Sequence, residues 1–534
     1  MSANPARPPG PGELAIVLHS HQPYVVDFGT WPFGEEWLWE SIATSYLPLL
    51  DVLDAGAPVT LSLTPVLCDQ LAAPGAIPRC AAFLAGTRVE THRRDIDAAA
   101  GEAGVVAALE HSAARYRWAE QRLAQLGGDL LGALGRHVSW TSAATHAVLP
   151  LLATDAGIRL QLRAGIDAHR DRFGPRPWRG GLWLPECAHA PWLDPLLEEA
   201  GVHAVCVDLT DVLSGDAHLR PLRAPAGPLL VPIDRATIEL VWSDGGYPAD
   251  PRYRNYHAFT RYRHRAWSND GAPYDPARAA VAAREHGADF VARVRRRVAG
   301  GGLCVFAVDT ELLGDWWHEG PLWLAAVIEQ AAAQGLQIAQ LDDALARHEP
   351  VAAPADLPVT SWGTPRDLST WSATPVTDMA WSARDAELRT VAGARGARAA
   401  RAAVQRLGLS RQPRPRRVLR PRARSRASRS ARGSARRAGR ARPVGAPPRA
   451  AGVGGRAAAA IVAVAAPVLL DGLGQRRGQR ARSPWAEARP LRRRGRASGG
   501  RTRDRPRAAR PVPGGQAASC GLPNGSMRPA GATR

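Results

Sequence analysis

Residues 13–21 read ELAIVLHSH, an unbroken apolar run that ends in His19, Ser20 and His21. A run without polar interruption suits a strand buried on both faces, as in a parallel sheet covered by helices. Four further stretches repeat the pattern: PVTLSLTP at 58–65, LWLPEC at 182–187, VHAVCVDL at 202–209 and LCVFAVD at 303–309. Helical periodicities lie between them, over 113–126 and 276–298. Strands alternating with helices predict an α/β fold with a parallel sheet or barrel. Several strands carry their polar residues at the C-terminal end: His19 and His21, Glu186, Asp208, Asp309 and Glu311. In a parallel α/β barrel, active sites form at that end.

The 534 residues, 45% hydrophobic and with 17 Trp, can build a large core, which excludes a wholly disordered chain. No run reaches the ~18 apolar residues that cross a bilayer. The longest apolar stretch, 457–470, is broken by Pro467, so no membrane partner is expected. The opening MSANPARPPGPGE has no apolar signal core. Cysteines at 68, 80, 187, 206, 304 and 520 form no CxxC pair, so neither a disulfide framework nor a zinc ribbon is expected. A cytoplasmic location follows as the expectation.

The net charge of +20 conceals two opposite parts. After position 390 stand 36 Arg and three acids, giving +33; before it, 33 Arg and 46 acids give −13. There is no Lys. The expected layout is a disordered 1–12, a catalytic barrel over 13–350 with a helical insertion around 80–135, the start of a C-terminal helical domain over 351–392, and a disordered Arg/Ala/Gly/Pro-rich tail over 393–534. Such a tail buries too little apolar surface to offset its ordering entropy. Two readings of it stay open. It is an arm that binds nucleic acid non-specifically by charge, or a frameshifted end, since a high-GC gene read out of frame yields Arg, Ala, Gly and Pro without Lys. The stretch DMAWSARDAELRT at 378–390 reads as a helix cut short by it.

Two carboxylates stand out. Glu186 lies in WLPECAH at 183–189, and Asp309 in FAVDTELLGDWWHEG at 306–320. Tryptophan faces stack on pyranose rings, and a pair of acids can split a glycosidic bond as nucleophile and general acid/base. Each acid could instead cap a helix or pair with an arginine. His19 and His21, two apart on a strand, face the same side. With His146 they could bind sugar hydroxyls; with Asp309 they could bind a divalent metal, as in a deacetylase- or mannosidase-like barrel.

At this point the chain resembles glycoside hydrolase family 57, and within it the branching-type members that act on α-1,4-glucans. The resemblance rests on HSHQP at 19–23, ATHAVLPLL at 144–152, GLWLPECAH at 181–189, VDTELLGDWWHEGPLWL at 308–324 and TSWG at 360–363, in the family's order. VWSDGGYPADPRYRNYH at 241–257 supports it. The resemblance implies a distorted (β/α)7 barrel with helical insertions, a retaining double displacement on an α-glucan polysaccharide, and no metal or organic cofactor. It implies Glu186 as nucleophile and Asp309 as general acid/base. His19, His21 and His146 would contact the sugar at the cleavage point, and Trp242, Trp317 and Trp362 would line the glucan groove. The sequence departs from the family in two places. The C-terminal helical domain gives way to the tail, and the segment 211–233 lacks the Tyr that, in branching-type members, shields the covalent intermediate from water.

Overall fold

Ten strands follow one another along the chain: β1 (Glu13–Ser20), β2 (Thr60–Leu63), β3 (Val138–Ser142), β4 (Gly181–Trp183), β5 (Ala204–Val207), β6 (Leu222–Arg223), β7 (Leu229–Pro232), β8 (Leu303–Asp309), β9 (Gln337–Ile338) and β10 (Val351–Ala352). They belong to a computed structural model that describes residues 12–30, 34–174 and 178–406. Seven of them run parallel in the order β7-β5-β4-β3-β2-β1-β8. The two ends of this row meet where the Asp234 amide, just past β7, donates to the Val305 carbonyl in β8 at 2.8 Å. The fold is the expected (β/α)7 barrel, distorted at this seam. The short β6 and β10 extend the sheet beyond β7, and β9 pairs with β1.

β1 lies between β2 and β8, and all eight of its residues are buried, as its apolar run requires. Its first residue, Glu13, is compensated by Arg347, whose Nε donates to Oε1 at 2.8 Å. The helices start where the sequence supplies caps. Asp275 accepts the Ala277 amide at 2.8 Å ahead of helix Pro276–Arg297, with proline at its first position. Thr154 accepts the Gly157 amide at 3.0 Å ahead of helix Asp155–Phe173.

Between β2 and β3 the chain runs through helices that include Ala76–Ala82, Val89–Ala98, Ala103–Gln125 and Leu130–Gly135. The apolar run at 182–187 is a shorter strand than its pattern suggests. β4 stops at Trp183, and Pro185–Cys187 forms a tight turn. The stretch 377–406 is one helix, Thr377–Arg406, so the sequence's change of character at 392 falls inside it. The expectation of disorder applies mostly to residues 407–534, which lie outside the described residues, as do 1–11.

Candidate active site

The C-terminal ends of β1, β3, β4 and β8 bring His19, His146, Glu186 and Asp309 to one mouth of the barrel. His19 and Asp309 are register partners across β1 and β8. Glu186 sits in the turn after β4 with φ 62° and ψ 24°, and Cys187 follows at φ 48°. His146, after β3, has φ 56°. Left-handed backbone at residues other than glycine costs on the order of 1–3 kcal/mol each and persists only where the surroundings impose it. Here the surroundings are visible. The Trp362 amide donates to the Glu186 carbonyl at 3.0 Å, and His189 and Thr360 exchange backbone hydrogen bonds at 2.9 Å in each direction. The segment at 360–362 therefore straps the turn and holds the Glu186 side chain toward the mouth. There the Trp362 indole N–H donates to Glu186 Oε2 at 2.9 Å.

The histidines form a chain behind this carboxylate. The Ser62 hydroxyl lies 3.1 Å from His19 Nδ1 and 3.4 Å from the Thr141 carbonyl. His19 Nε2 lies 3.0 Å from His146 Nε2, and His146 Nδ1 lies 3.7 Å from Glu186 Oε1. The His21 ring stacks on His146 at 3.8 Å, and Trp183 stacks on His19 at 4.8 Å. Burial lowers all three histidines, His21 to about 3, so they are neutral at ordinary pH. Of their nitrogens, His19 Nε2 and His146 Nε2 contact each other, whereas His21 Nδ1 is buried without a hydrogen-bond partner. Among the described residues no group of three or more His, Cys, Asp or Glu side chains is arranged to hold a metal ion.

The matching family model, that of glycosyl hydrolase family 57, covers residues 139–356. A probable 1,4-alpha-glucan branching enzyme of Mycobacterium tuberculosis is 32% identical over 423 residues, 70% of this chain and 78% of the relative. A 1,4-alpha-glucan branching enzyme of Thermococcus kodakarensis is 30% identical, over 67% of this chain and 61% of the relative. The crystal structure of a branching enzyme of this family from Pyrococcus horikoshii is 30% identical with a TM-score of 0.65, covering 70% of this chain and 77% of that one. The chain belongs to glycosyl hydrolase family 57. Its members named here act on glucans, and the (β/α)7 barrel is the fold they share with it.

In this family member the carboxyl groups carry an unusual electrostatic load. Burial pushes Glu186 up to about 7, against the Trp362 hydrogen bond, which favours the charged form. Asp309 is pushed well above the usual carboxylate range by burial, then by the charges of Glu186 and Glu311. Among the described residues no arginine is ion-paired with any of these three acids; the contact of Glu186 with neutral His146 is the only one of that kind.

Not every expected residue joins the cluster. Trp362 does, against Trp183 at 5.1 Å as well as on Glu186. Trp317 does not line a groove. It is 2% exposed, packed in the core against Tyr253 and Trp323, because the bridge between Leu313 and Trp317 turns its ring inward. Its neighbour Trp316 is exposed instead and stacks on Tyr256 at 4.8 Å. Trp242 ends helix Arg235–Trp242 on the surface and takes no part in the cluster's hydrogen bonds or ring stacks. Asp208, another polar strand end, is used as a turn cap, accepting the Thr210 amide at 3.0 Å. Trp183, Ser62, Tyr46 and Glu311 were not singled out as site residues. Trp183 and Glu311 carried a signal, each standing within three positions of a proposed catalytic acid. Ser62 and Tyr46 carried none.

Proposed function

We propose that the chain is a 1,4-α-glucan branching enzyme that works by retaining double displacement, with Glu186 as nucleophile and Asp309 as general acid/base. The observation that carries this reading is the strapped left-handed turn that aims Glu186 at the mouth, with an indole N–H on one oxygen. The likeness to branching enzymes along 70% of the chain supports the choice within the family. Glu186, raised to about 7, is about half ionised at neutral pH, and Asp309, raised well above the usual carboxylate range by burial and by the charge of Glu186, is the acid to which we assign the proton. The Glu186 carboxylate attacks the anomeric carbon, and the Asp309 proton passes to the departing glucan oxygen. The new bond is an ester between Glu186 and the sugar. Asp309, now charged, takes the proton of an acceptor 6-hydroxyl, whose oxygen displaces Glu186 and forms the α-1,6 bond. Two inversions give net retention.

Water competes with the acceptor for the ester, and only exclusion of water favours the sugar. The segment 211–233 has no Tyr and folds compactly through β6 and β7. We therefore expect more hydrolysis per branch than in members that carry the shield. On amylose, new reducing ends scored against new α-1,6 linkages by proton NMR separate branching from an α-glucan hydrolase. Reducing ends without branches would replace branching by hydrolysis; new α-1,4 chain lengths without branches would make it a 4-α-glucanotransferase. Glu186→Ala should abolish every product while the thermal unfolding curve is retained, and azide should restore turnover as a glycosyl azide of inverted configuration. Residual wild-type turnover in Glu186→Ala would remove the nucleophile assignment.

A further inference from the structure

Arg235 opens the helix Arg235–Trp242 just past β7, and its backbone is firmly fixed there. Asp234, the residue before it, accepts the Thr237 amide at 3.0 Å as the helix cap and accepts Arg297 Nε at 2.9 Å. The Asp234 amide makes the barrel seam with Val305. The Arg235 side chain, 15% exposed, bridges two other elements. Its Nη1 stands 3.5 Å from Asp208 Oδ2, one residue past β5, and 3.4 Å from the Trp362 carbonyl in the strap over Glu186. The Asp208 side chain is fully buried, and its Oδ1 is taken by the Thr210 amide at 3.0 Å and hydroxyl at 2.6 Å. Arg235 Nε is buried without a hydrogen-bond partner, 3.6 Å from Oε1 of the exposed Glu239.

Every polar group of Trp362 is thereby engaged. Its amide and indole N–H both donate to Glu186, and its carbonyl receives Arg235. A buried carboxylate such as Asp208 is costly without a cation, so Asp208 keeps Arg235 in place. A hydrogen bond from a guanidinium is stronger than a neutral one, so Arg235 in turn keeps the Trp362 peptide in place. A second ion pair to the strap, Arg366 Nε to Asp211 Oδ2 at 2.9 Å, lies on the surface, with Asp211 62% exposed, where such pairs contribute little. Glu186 faces the Trp362 indole, neutral His146 at 3.7 Å, Asp309 from β8, and Cys187 in its own turn, whose thiol burial keeps neutral. Glu311, two residues past Asp309, is occupied by the Tyr46 hydroxyl at 2.5 Å and the His21 amide at 3.2 Å. A shift of Trp362 away from Glu186 therefore removes a donor that favours the carboxylate form.

We propose that Arg235 is a positioning residue: bridging Asp208 and the Trp362 carbonyl, it holds the strap so that the Trp362 indole N–H stays on the Glu186 carboxylate. The role rests on the reading of Glu186 as the nucleophile. In the full chain, Arg235→Gln should loosen that donor and let Glu186 keep its proton to higher pH. The acid limb of kcat/KM on amylose should then move up by about half a pH unit, roughly a threefold loss at a fixed pH on that limb. Arg235→Gln together with Asp208→Asn removes the buried charge and its partner as a unit and should show the same shift. It decides the question should the single variant fail to fold. Arg235→Gln combined with Trp362→Phe separates this route from a direct effect of the arginine charge on Glu186. With the indole donor already gone, loss of Arg235 should move the limb no further. A further move as large as that of Arg235→Gln alone would mean that the charge acts directly, and would overturn the role. Loss of thermal stability with the limb unmoved in both Arg235 variants would make Arg235 a structural brace and overturn it too. Glu186→Ala serves as the separate check. If it keeps wild-type turnover, the nucleophile reading fails; if it is inactive and the limb does not move in the Arg235 variants, only the Arg235 role fails.

Discussion

Glu186 owes its chemistry to a residue far away in sequence. Trp362, 176 positions on, supplies the indole N–H to Oε2. A hydrogen bond to a charged group contributes about 1.5–3 kcal/mol, and it acts on the carboxylate more than on the acid. Trp362→Phe keeps the ring and loses the donor. Glu186 should then hold its proton to higher pH, moving the acid limb of kcat/KM upward from about 7, with activity at neutral pH falling roughly ten- to a hundredfold. An acid limb that stays in place would show that the donor does not govern Glu186. At this scale the sequence pointed to His19, Glu186 and Asp309, since all three end apolar runs, and the fold brings them to one mouth of the barrel. It disclosed TSWG only by resemblance, because nothing local to Trp362 says which carboxylate its ring will meet. Trp317 was misplaced for a related reason. Two adjacent tryptophans, Trp316 and Trp317, are equivalent as letters, and a backbone bridge decides which one turns inward.

Elements were legible in proportion to how regular their pattern is. β1 and β8 were read with nearly their observed bounds because each is a long apolar run buried on both sides. β3 (VSWTS) and β7 (LLVP) were missed: one alternates polar residues that are buried by contacts from other strands, and the other is four residues long and ends in proline. The helix Thr377–Arg406 shows what composition cannot foresee. Glu387 on it is 3% exposed and accepts the Ala153 amide at 2.7 Å, the Thr154 amide at 3.0 Å and the Thr154 hydroxyl at 2.6 Å. It reinforces, from another element, the N-terminal cap of helix Asp155–Phe173, where an anion is also favoured by the helix dipole. Glu387→Ala strands those donors and should cost about 2–4 kcal/mol, given the usual strength of charge-assisted hydrogen bonds. Limited proteolysis should then cut within 377–406 far faster than in the parent chain, with the barrel resistant. Equal cutting rates would mean that the helix is held by other contacts.

Across the whole molecule, the class of fold followed from the alternation of buried strands and helices, whereas the closing seam at Asp234 and Val305 did not, since it depends on how seven strands curl together. The same burial that makes the barrel legible sets how its stability responds to pH. Burial lowers many histidines, among them His21 and His92 to about 3 and His169 to about 4. The unfolded chain protonates these near 6.5, so it binds more protons than the folded one below that pH, and stability falls as pH drops toward about 3. The buried carboxyls act in the opposite direction. Glu186 and Glu36 are raised to about 7 and Glu311 to about 8, so the folded chain keeps protons that the unfolded chain releases near 4.5. Their contribution is full below about 4.5 and is lost as pH rises to about 8, on the order of 3 kcal/mol for a shift the size of that at Glu186. Between about 4.5 and 6.5 the two effects oppose each other. The expected melting temperature therefore has a plateau in that window, a fall on the acid side from the histidines and a fall on the alkaline side from the carboxyls. The double variant Glu186→Gln, Glu311→Gln keeps shape and removes both titrations. Thermal unfolding across pH 4–9 should show its alkaline fall flattened and its acid fall intact. An alkaline fall as steep as that of the parent chain would place its origin in groups other than Glu186 and Glu311.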